Sequence, residues 1–223
     1  MRFVRDNSLS IFFLVIFLAS LAGQAIAGHG AFNHDQLLHN GSTISLGRYL
    51  TTSEFAADVA ENWQSEYLQF TLYIFGTVWL LQRGSPESKP LDEAGLESDE
   101  DQKIGEHADA RSPRWARVGG LRTTLYSNSL LIVMTTIWLG SWLAQSIAGA
   151  SGYNADQLDH QAATVSWLSY LGSSDFWSRT LQNWQSEFLA VGSMAILSVY
   201  LRQRGSPESK PVGSPHDATG IEG

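Results

Sequence analysis

Apolar residues are concentrated in four segments of the chain, with polar stretches between them. Residues 9–28 and 130–149 each run for about 20 positions without a charge, enough to cross a bilayer core of roughly 30 Å. Residues 67–81 and 188–201 are shorter, at about 15 positions, and cross only if flanking polar residues join them. The pattern predicts an all-α membrane protein with four transmembrane helices.

The second half of the chain repeats the first at a constant distance. Asn62 and Asn183 are 121 positions apart, as are Arg83 and Arg204 (183 − 62 and 204 − 83). The nine residues QRGSPESKP occupy positions 82–90 and return at 203–211. This periodicity predicts a tandem repeat of a two-helix unit. The predicted domains are a first membrane repeat (1–90), an acidic and then basic cytoplasmic linker (91–121), a second membrane repeat (122–211) and a disordered tail (212–223).

Basic residues indicate the orientation of these helices. Of the 14 Lys and Arg residues, only Arg48 and Arg179 fall on the side opposite to the termini. The positive-inside rule therefore places both termini and the linker in the cytoplasm. Because each unit crosses the membrane twice, both copies point the same way. The expected fold is two parallel helical-hairpin repeats, N-in and C-in.

The N-terminus has an alternative interpretation as a cleaved signal peptide. Arg2 and Arg5 precede an apolar run that ends in the small residues of positions 25–27. Positions 146–148 carry the same kind of small-residue pattern inside the chain, where no signal peptide is cleaved. Small residues at this spacing let helices pack closely in lipid, and we favour that explanation.

Composition and charge exclude several kinds of partner. The chain has no cysteine, which rules out disulfides and thiolate metal sites. The net charge of −8 lies mainly in the loops, above all in residues 91–109, and no basic groove is present. We therefore expect no nucleic-acid partner and no cofactor.

Amides and carboxylates deep in the predicted spans are the candidate site residues. Gln24 and Gln145 lie about 22 Å into their helices at 1.5 Å per residue. Asn62 and Glu66 are four positions apart and share a helical face. These side chains form either a hydrogen-bonded clasp between helices, which we favour, or an outer site for a ligand or ion. The predicted cluster consists of Gln24, Asn62, Glu66, Gln145, Asn183 and Glu187.

Three local patterns complete the prediction. Ser53 is the expected N-cap of a helix that runs to Arg83, with Gly84 as its left-handed C-terminal cap. Asp35 and His39 are four apart on an expected short outer helix, a pattern repeated in the second copy. This Asp and His spacing is more typical of a surface pair than of a metal site, so we predict no metal.

Motifs that both copies retain lie at residues 5–10, 23–28, 61–69 and 82–89. They resemble an uncharacterised family of small bacterial membrane proteins known as a domain of unknown function. The resemblance covers nearly the whole chain apart from the linker. It implies a multi-pass protein of the bacterial cytoplasmic (inner) membrane and brings no catalytic residue with it.

The expected function is a structural, interaction or accessory role in that membrane. The expected partners are the lipid bilayer and either a second copy of the chain or another membrane protein. The alternative is a transporter or binder of a small solute or ion that uses the outer polar cluster. No serine elbow, zinc helix motif or phosphate loop is present, so we expect no enzyme.

Overall fold

The computed structural model describes residues 2–221, and every regular element in this range is a helix. Four long helices, α1 to α4, account for most of it. They span Ser8–Leu38 (α1), Ser53–Trp79 (α2), Ser129–Asp159 (α3) and Ser174–Tyr200 (α4). Short helices span Arg2–Asp6, Leu46–Tyr49, Arg114–Arg117, Gly120–Ser127 and Trp167–Leu171, and a 3₁₀ turn spans Gly105–His107.

Helices α1 and α3 are each 31 residues long, or about 46 Å at 1.5 Å per residue. They extend well beyond the apolar runs from which they were predicted. The prediction of a separate short helix for Asp35 and His39 is wrong, because both residues lie on or directly after the last turn of α1. The imidazole Nδ1 of His39 bonds to the Asp35 carbonyl at 3.0 Å.

The ends of α1 and α3 are closed by the same backbone motif. Asn40 and Gln161 adopt left-handed conformations with φ of 58° and 56°. The next amide then turns back to the last helical turn, so that Gly41 N–H donates to the Gln36 carbonyl at 2.7 Å. Such a motif satisfies carbonyls that a helix end would otherwise leave without partners.

Helices α2 and α4 differ from the prediction at both ends. The side chains of Thr52 and Ser173, one residue before each helix, accept the capping hydrogen bonds. The helices end at Trp79 and Tyr200 instead of continuing to Arg83. Leu201, after α4, is already extended, with ψ of 159°. The amides of Gln82 and Gln203 then donate to the hydroxyls of Ser88 and Ser209 instead of to helical carbonyls.

Two of the four long helices, α1 and α3, are long and apolar enough to cross a membrane. In their most apolar windows of 18 residues only 6% and 11% of the positions are buried. Core helices of soluble proteins bury this kind of surface, whereas here the chain leaves it uncovered. Helices α2 and α4 form where they were predicted but do not reach the same apolarity.

The chain divides into two compact units. Unit 1 comprises residues 1–59 and 144–167, and unit 2 comprises residues 60–143 and 168–223. In unit 1 the Tyr49 ring is buried against Phe32 and Phe55, with ring centroids 5.6 and 5.4 Å away. Gly28 allows this packing, because a Cβ at that position would lie 2.3 Å from the Tyr49 hydroxyl.

An asparagine clamp holds the segment that follows each of α1 and α3. Asn33 accepts from Ile44 N–H at 2.8 Å and donates to the Ile44 carbonyl at 3.0 Å. Asn154 makes the same pair of bonds with Val165, at 2.8 and 2.9 Å. One amide side chain thus satisfies both backbone groups of a residue that has no helical partner.

Unit 2 contains an aromatic cluster around Trp142. Its ring lies 5.9 Å from Trp138 and 5.8 Å from Trp184, measured between centroids. Phe176 and Trp177 of α4 complete the cluster at 6.2 and 6.1 Å. Aromatic pairs at such distances contribute beyond the area that they bury, so the cluster fixes the first half of α3 against α4.

The two QRGSPESKP segments form loops with the same hydrogen bonds. We call them loop 1 (residues 82–90) and loop 2 (residues 203–211). In loop 1 the Ser88 hydroxyl accepts from Gln82 N–H at 3.0 Å and donates to the Lys89 carbonyl at 3.0 Å. In loop 2 Ser209 makes the equivalent bonds at 2.9 and 3.1 Å. Gly84 and Gly205 have the predicted left-handed conformation, with φ of 84° and 81°. Because the helices end at Trp79 and Tyr200, both glycines belong to the loops and not to helix caps.

The C-terminal segment connects these two loops. The buried Lys210 amine of loop 2 donates to three carbonyls, those of Pro215, His216 and Ala218, at 2.8–3.1 Å. Loop 1 is reached by Thr219, whose hydroxyl accepts from Gly84 N–H at 2.9 Å. Residues 212–221 therefore follow a defined path in unit 2.

The two loop glycines provide a matched test of this path. We expect Gly84→Ala to raise amide exchange throughout residues 212–221 by about tenfold or more, because a Cβ at position 84 would lie 2.2 Å from the His216 carbonyl oxygen. Gly205→Ala carries the same left-handed strain of about 1–2 kcal/mol but meets open space. Hydrogen exchange read by mass spectrometry should thus show no change in the tail of that variant. Equal exchange in both variants would contradict the described path.

Candidate functional site

The predicted polar cluster is divided between the two units. Gln24 and Gln145 belong to unit 1, while Asn62, Glu66, Asn183 and Glu187 belong to unit 2. Gln145 is 1% exposed, whereas its counterpart Gln24 is only half-buried. Identical residues at equivalent positions therefore have different surroundings, and the convergence of all six side chains stays a prediction.

The four members of the cluster in unit 2 have separate environments. Asn62 and Glu66 are exposed, and Asn183 and Glu187 are half-buried. The Asn183 amide donates to the Arg179 carbonyl of its own helix at 2.9 Å. Glu66 and Glu187 have an unfavourable electrostatic interaction with each other. A shared site for these residues stays a prediction.

An ion pair joins α2 to α4 beside this cluster. Arg179 Nη1 lies 3.0 Å from Glu61 Oε1, and Arg179 Nε lies 3.6 Å from Asp175 on its own helix. The Glu61 side chain is mostly buried, at 13% exposure. A buried carboxylate needs such a partner, because isolated charges are costly to remove from water.

Comparison of the two sequence copies had missed this pair. Arg179 corresponds to Asp58 and Glu61 to Gln182, so neither position keeps its residue. The candidate site residues were those identical in both copies, so Arg179 and Glu61 were not among them. The charges were nevertheless visible, because Arg179 is one of only two basic residues predicted on the outer side.

A side-chain hydrogen bond lies next to the ion pair. The Trp184 indole N–H donates to Gln64 Oε1 at 2.8 Å. Gln64 has no exposed surface, and its Nε2 has no partner among the described residues. Trp184 also packs on Trp142, so the bond links the aromatic cluster to α2. The amide is thus held by a single donor.

Loop 1 and loop 2 differ sharply in exposure although their sequences are identical. Gly84, Ser85 and Pro86 are buried, whereas Gly205 and Pro207 are exposed. The C-terminal segment causes the difference, because Gly220 N–H donates to the Ser85 carbonyl at 3.0 Å. Loop 2 consequently presents, with the same backbone conformation, a surface that the chain covers in loop 1.

Electrostatics at the two loop lysines also differ. Burial lowers the pKa of the Lys210 amine, which faces carbonyl oxygens. Lys89 instead donates to the Gly95 carbonyl at 3.0 Å and pairs with Glu97 at 2.8 Å. The hydrogen bond from Lys89 lowers the pKa of Glu97. Each lysine thus organises the segment that follows its own loop.

Within residues 2–221 no three His, Asp or Glu side chains are grouped closely enough to hold a metal ion. His29, which has no counterpart in the second copy, has a role in the fold. Its Nε2 lies 2.6 Å from the Ile44 carbonyl and 2.8 Å from the Asn33 amide nitrogen. It therefore belongs to the asparagine clamp of unit 1.

The hydrogen bond from Trp184 to Gln64 can be tested by removing its partners in turn. We expect Trp184→Phe to lower the free energy of unfolding by about 1–2 kcal/mol, because the buried Gln64 amide loses its donor. Unfolding in mixed detergent micelles, followed by circular dichroism, measures the loss. The variant that also carries Gln64→Met removes the stranded amide and should recover most of it. No recovery in the double variant would show that aromatic packing alone explains the effect.

Comparison with known proteins assigns the chain to a family. The family described as Domain of unknown function (DUF6766) matches residues 1–221. In the same comparisons no curated protein and no solved structure matches. The match extends over both long helical pairs, both loops and the segment that connects them. The chain belongs to the DUF6766 family.

Proposed function

We propose that the chain is an integral protein of the bacterial cytoplasmic membrane with a structural or accessory role, exercised through contacts with other proteins. Helices α1 and α3 leave their apolar side chains uncovered, which in water would drive aggregation. A bilayer removes that cost. The resemblance of the retained motifs to small bacterial membrane proteins supports the same location.

The proposal includes α2 and α4 as two further spans. Each has 27 residues and measures about 40 Å, which exceeds a bilayer core of roughly 30 Å. Their polar residues need not face lipid, because Glu61 pairs with Arg179 and Gln64 with Trp184. Polar residues in spans are tolerated when they pair with one another. With four spans, both termini and residues 91–121 would lie on one side, and the positive-inside rule favours the cytoplasm.

The proposed interaction role rests on one observation, which is that loop 2 is exposed. The same nine residues in loop 1 are covered by residues 216–220 of the chain. Loop 2 has the same internal hydrogen bonds, so it is already folded and loses little conformational entropy on binding. We infer that loop 2 offers this prefolded surface to a partner protein in the cytoplasm.

Cysteine accessibility tests the number of spans, since the chain contains no cysteine of its own. Single variants Ser42→Cys, Glu100→Cys and Ala163→Cys all alter exposed positions. With four spans, a membrane-impermeant maleimide labels Ser42→Cys and Ala163→Cys in intact cells and Glu100→Cys only after permeabilisation. With α1 and α3 as the only spans, Glu100→Cys would label in intact cells and Ala163→Cys would not. That second pattern would refute the four-span proposal.

Site-specific photocrosslinking tests the interaction role at two positions of identical local sequence. Pro207→benzoylphenylalanine places the photoreactive group on exposed loop 2, and Pro86→benzoylphenylalanine places it in covered loop 1. We expect discrete protein adducts in living cells from position 207 and far fewer from position 86. A differently tagged second copy of the chain identifies adducts formed by self-association. Absence of any protein adduct at position 207 would count against an interaction surface there.

A further inference from the structure

A cavity of about 360 Å³ lies between α2 and α4 in unit 2, next to loop 1. Its apolar lining includes Gly76 of α2 together with Phe188, Val191 and Ala195 of α4. A second cavity of about 290 Å³ adjoins it and shares Val191. Cavities in this size range bind small organic molecules, so the space is large enough for a ligand.

Polar atoms that line the cavity can accept further hydrogen bonds. Gln69, Tyr73 and Glu87 line both cavities. The Gln69 Oε1 atom is buried and has no hydrogen-bond partner among the described residues. The Tyr73 hydroxyl already donates to the Glu87 carboxylate, which can still accept further bonds. A buried acceptor without a donor is costly, and a ligand that donates would remove this cost.

Two of the donors that line the cavity are engaged within the protein. The Thr77 hydroxyl donates to the Tyr73 carbonyl at 2.8 Å, and the Ser88 hydroxyl donates to the Lys89 carbonyl at 3.0 Å. At Gln69 Oε1 and at Glu87 the described cavity offers acceptors and one negative charge to a ligand. An anionic head such as a carboxylate or phosphate would face the Glu87 carboxylate and be repelled.

The helix residues that line the cavity differ in the other copy, whereas Glu87 of loop 1 has an identical counterpart in Glu208. Gly76, Val191 and Ala195 correspond, 121 positions away, to the larger residues Leu197, Phe70 and Ile74. Gln69 and Tyr73 correspond to Ala190 and Met194, which are apolar. The small Gly76 and the polar Gln69 and Tyr73 thus occur together on α2 alone, while Ala190 and Met194 line the adjoining cavity from α4.

The geometry points to a binding site for a single-chain amphiphile with a hydroxyl or protonated amine head. The apolar chain lies between α2 and α4 against Gly76 and Ala195, and the head donates to Gln69 Oε1 and Glu87. The assignment goes beyond the interaction role of loop 2 and does not depend on it.

Photolabelling of the full chain in nanodiscs tests this site. The probe is a ten-carbon alcohol that carries an alkyl diazirine, and mass spectrometry locates the labelled residues. Competitors with the same chain length are 1-decanol, decylamine and decanoate. We expect labelling of the cavity residues, with competition by the alcohol and the amine at concentrations about tenfold lower than by decanoate. Equal competition by decanoate would overturn the assignment.

Three variants locate the effect at the cavity. Ala195→Phe fills the space and should reduce labelling about tenfold, while Ile196→Phe alters an exposed neighbour outside the lining and should not. Glu87→Gln removes the charge, so decanoate should then compete as well as decanol. Gln69→Leu should weaken competition by alcohol and amine alike. Helical circular dichroism establishes that each variant is folded, and labelling unchanged in folded Ala195→Phe would refute the site.

Discussion

Uncovered apolar surface on α1 and α3 is the constraint on which the rest of the structure depends. Both helices satisfy their backbone hydrogen bonds internally, so they can present apolar side chains to an apolar medium without stranding polar groups. Within the described chain only 6% and 11% of the positions in their most apolar windows are buried. Every polar element must therefore be confined to helix ends, to loops or to contacts between helices.

Side-chain amides and hydroxyls meet this requirement at the helix ends. Asn33 and Asn154 satisfy both backbone groups of the residues that they clamp. In the loops, the hydroxyls of Ser88 and Ser209 each accept from one backbone N–H and donate to one backbone carbonyl. The retained polar segments are thus folded structures with their own hydrogen-bond network, and ending a helix is only part of what they do.

Equivalent positions in the two copies do not have equivalent environments. Gln64 is fully buried against Trp184, whereas Gln185 is exposed. In loop 1 Gly84, Ser85 and Pro86 are buried, whereas Gly205 and Pro207 of loop 2 are exposed. Residues 216–220 cover loop 1 and leave these two residues of loop 2 exposed. The asymmetry creates the two features with functional potential, the open loop and the cavity between α2 and α4.

The sequence by itself determined the helical class, the positions of the four long helices and the places where the chain turns. These features follow from local patterns, namely apolar runs, capping residues and left-handed glycines, which act within a few residues. Helix ends were less predictable, since Ser88 and Ser209 take up the amides of residues beyond Trp79 and Tyr200. Only the tertiary structure decided that Glu61 meets Arg179, that Gln64 meets Trp184 and that Gln69 is left with an unused acceptor. The contacts of Glu61 with Arg179 and of Gln64 with Trp184 join residues more than a hundred positions apart. No local sequence pattern determines how closely two helices approach each other.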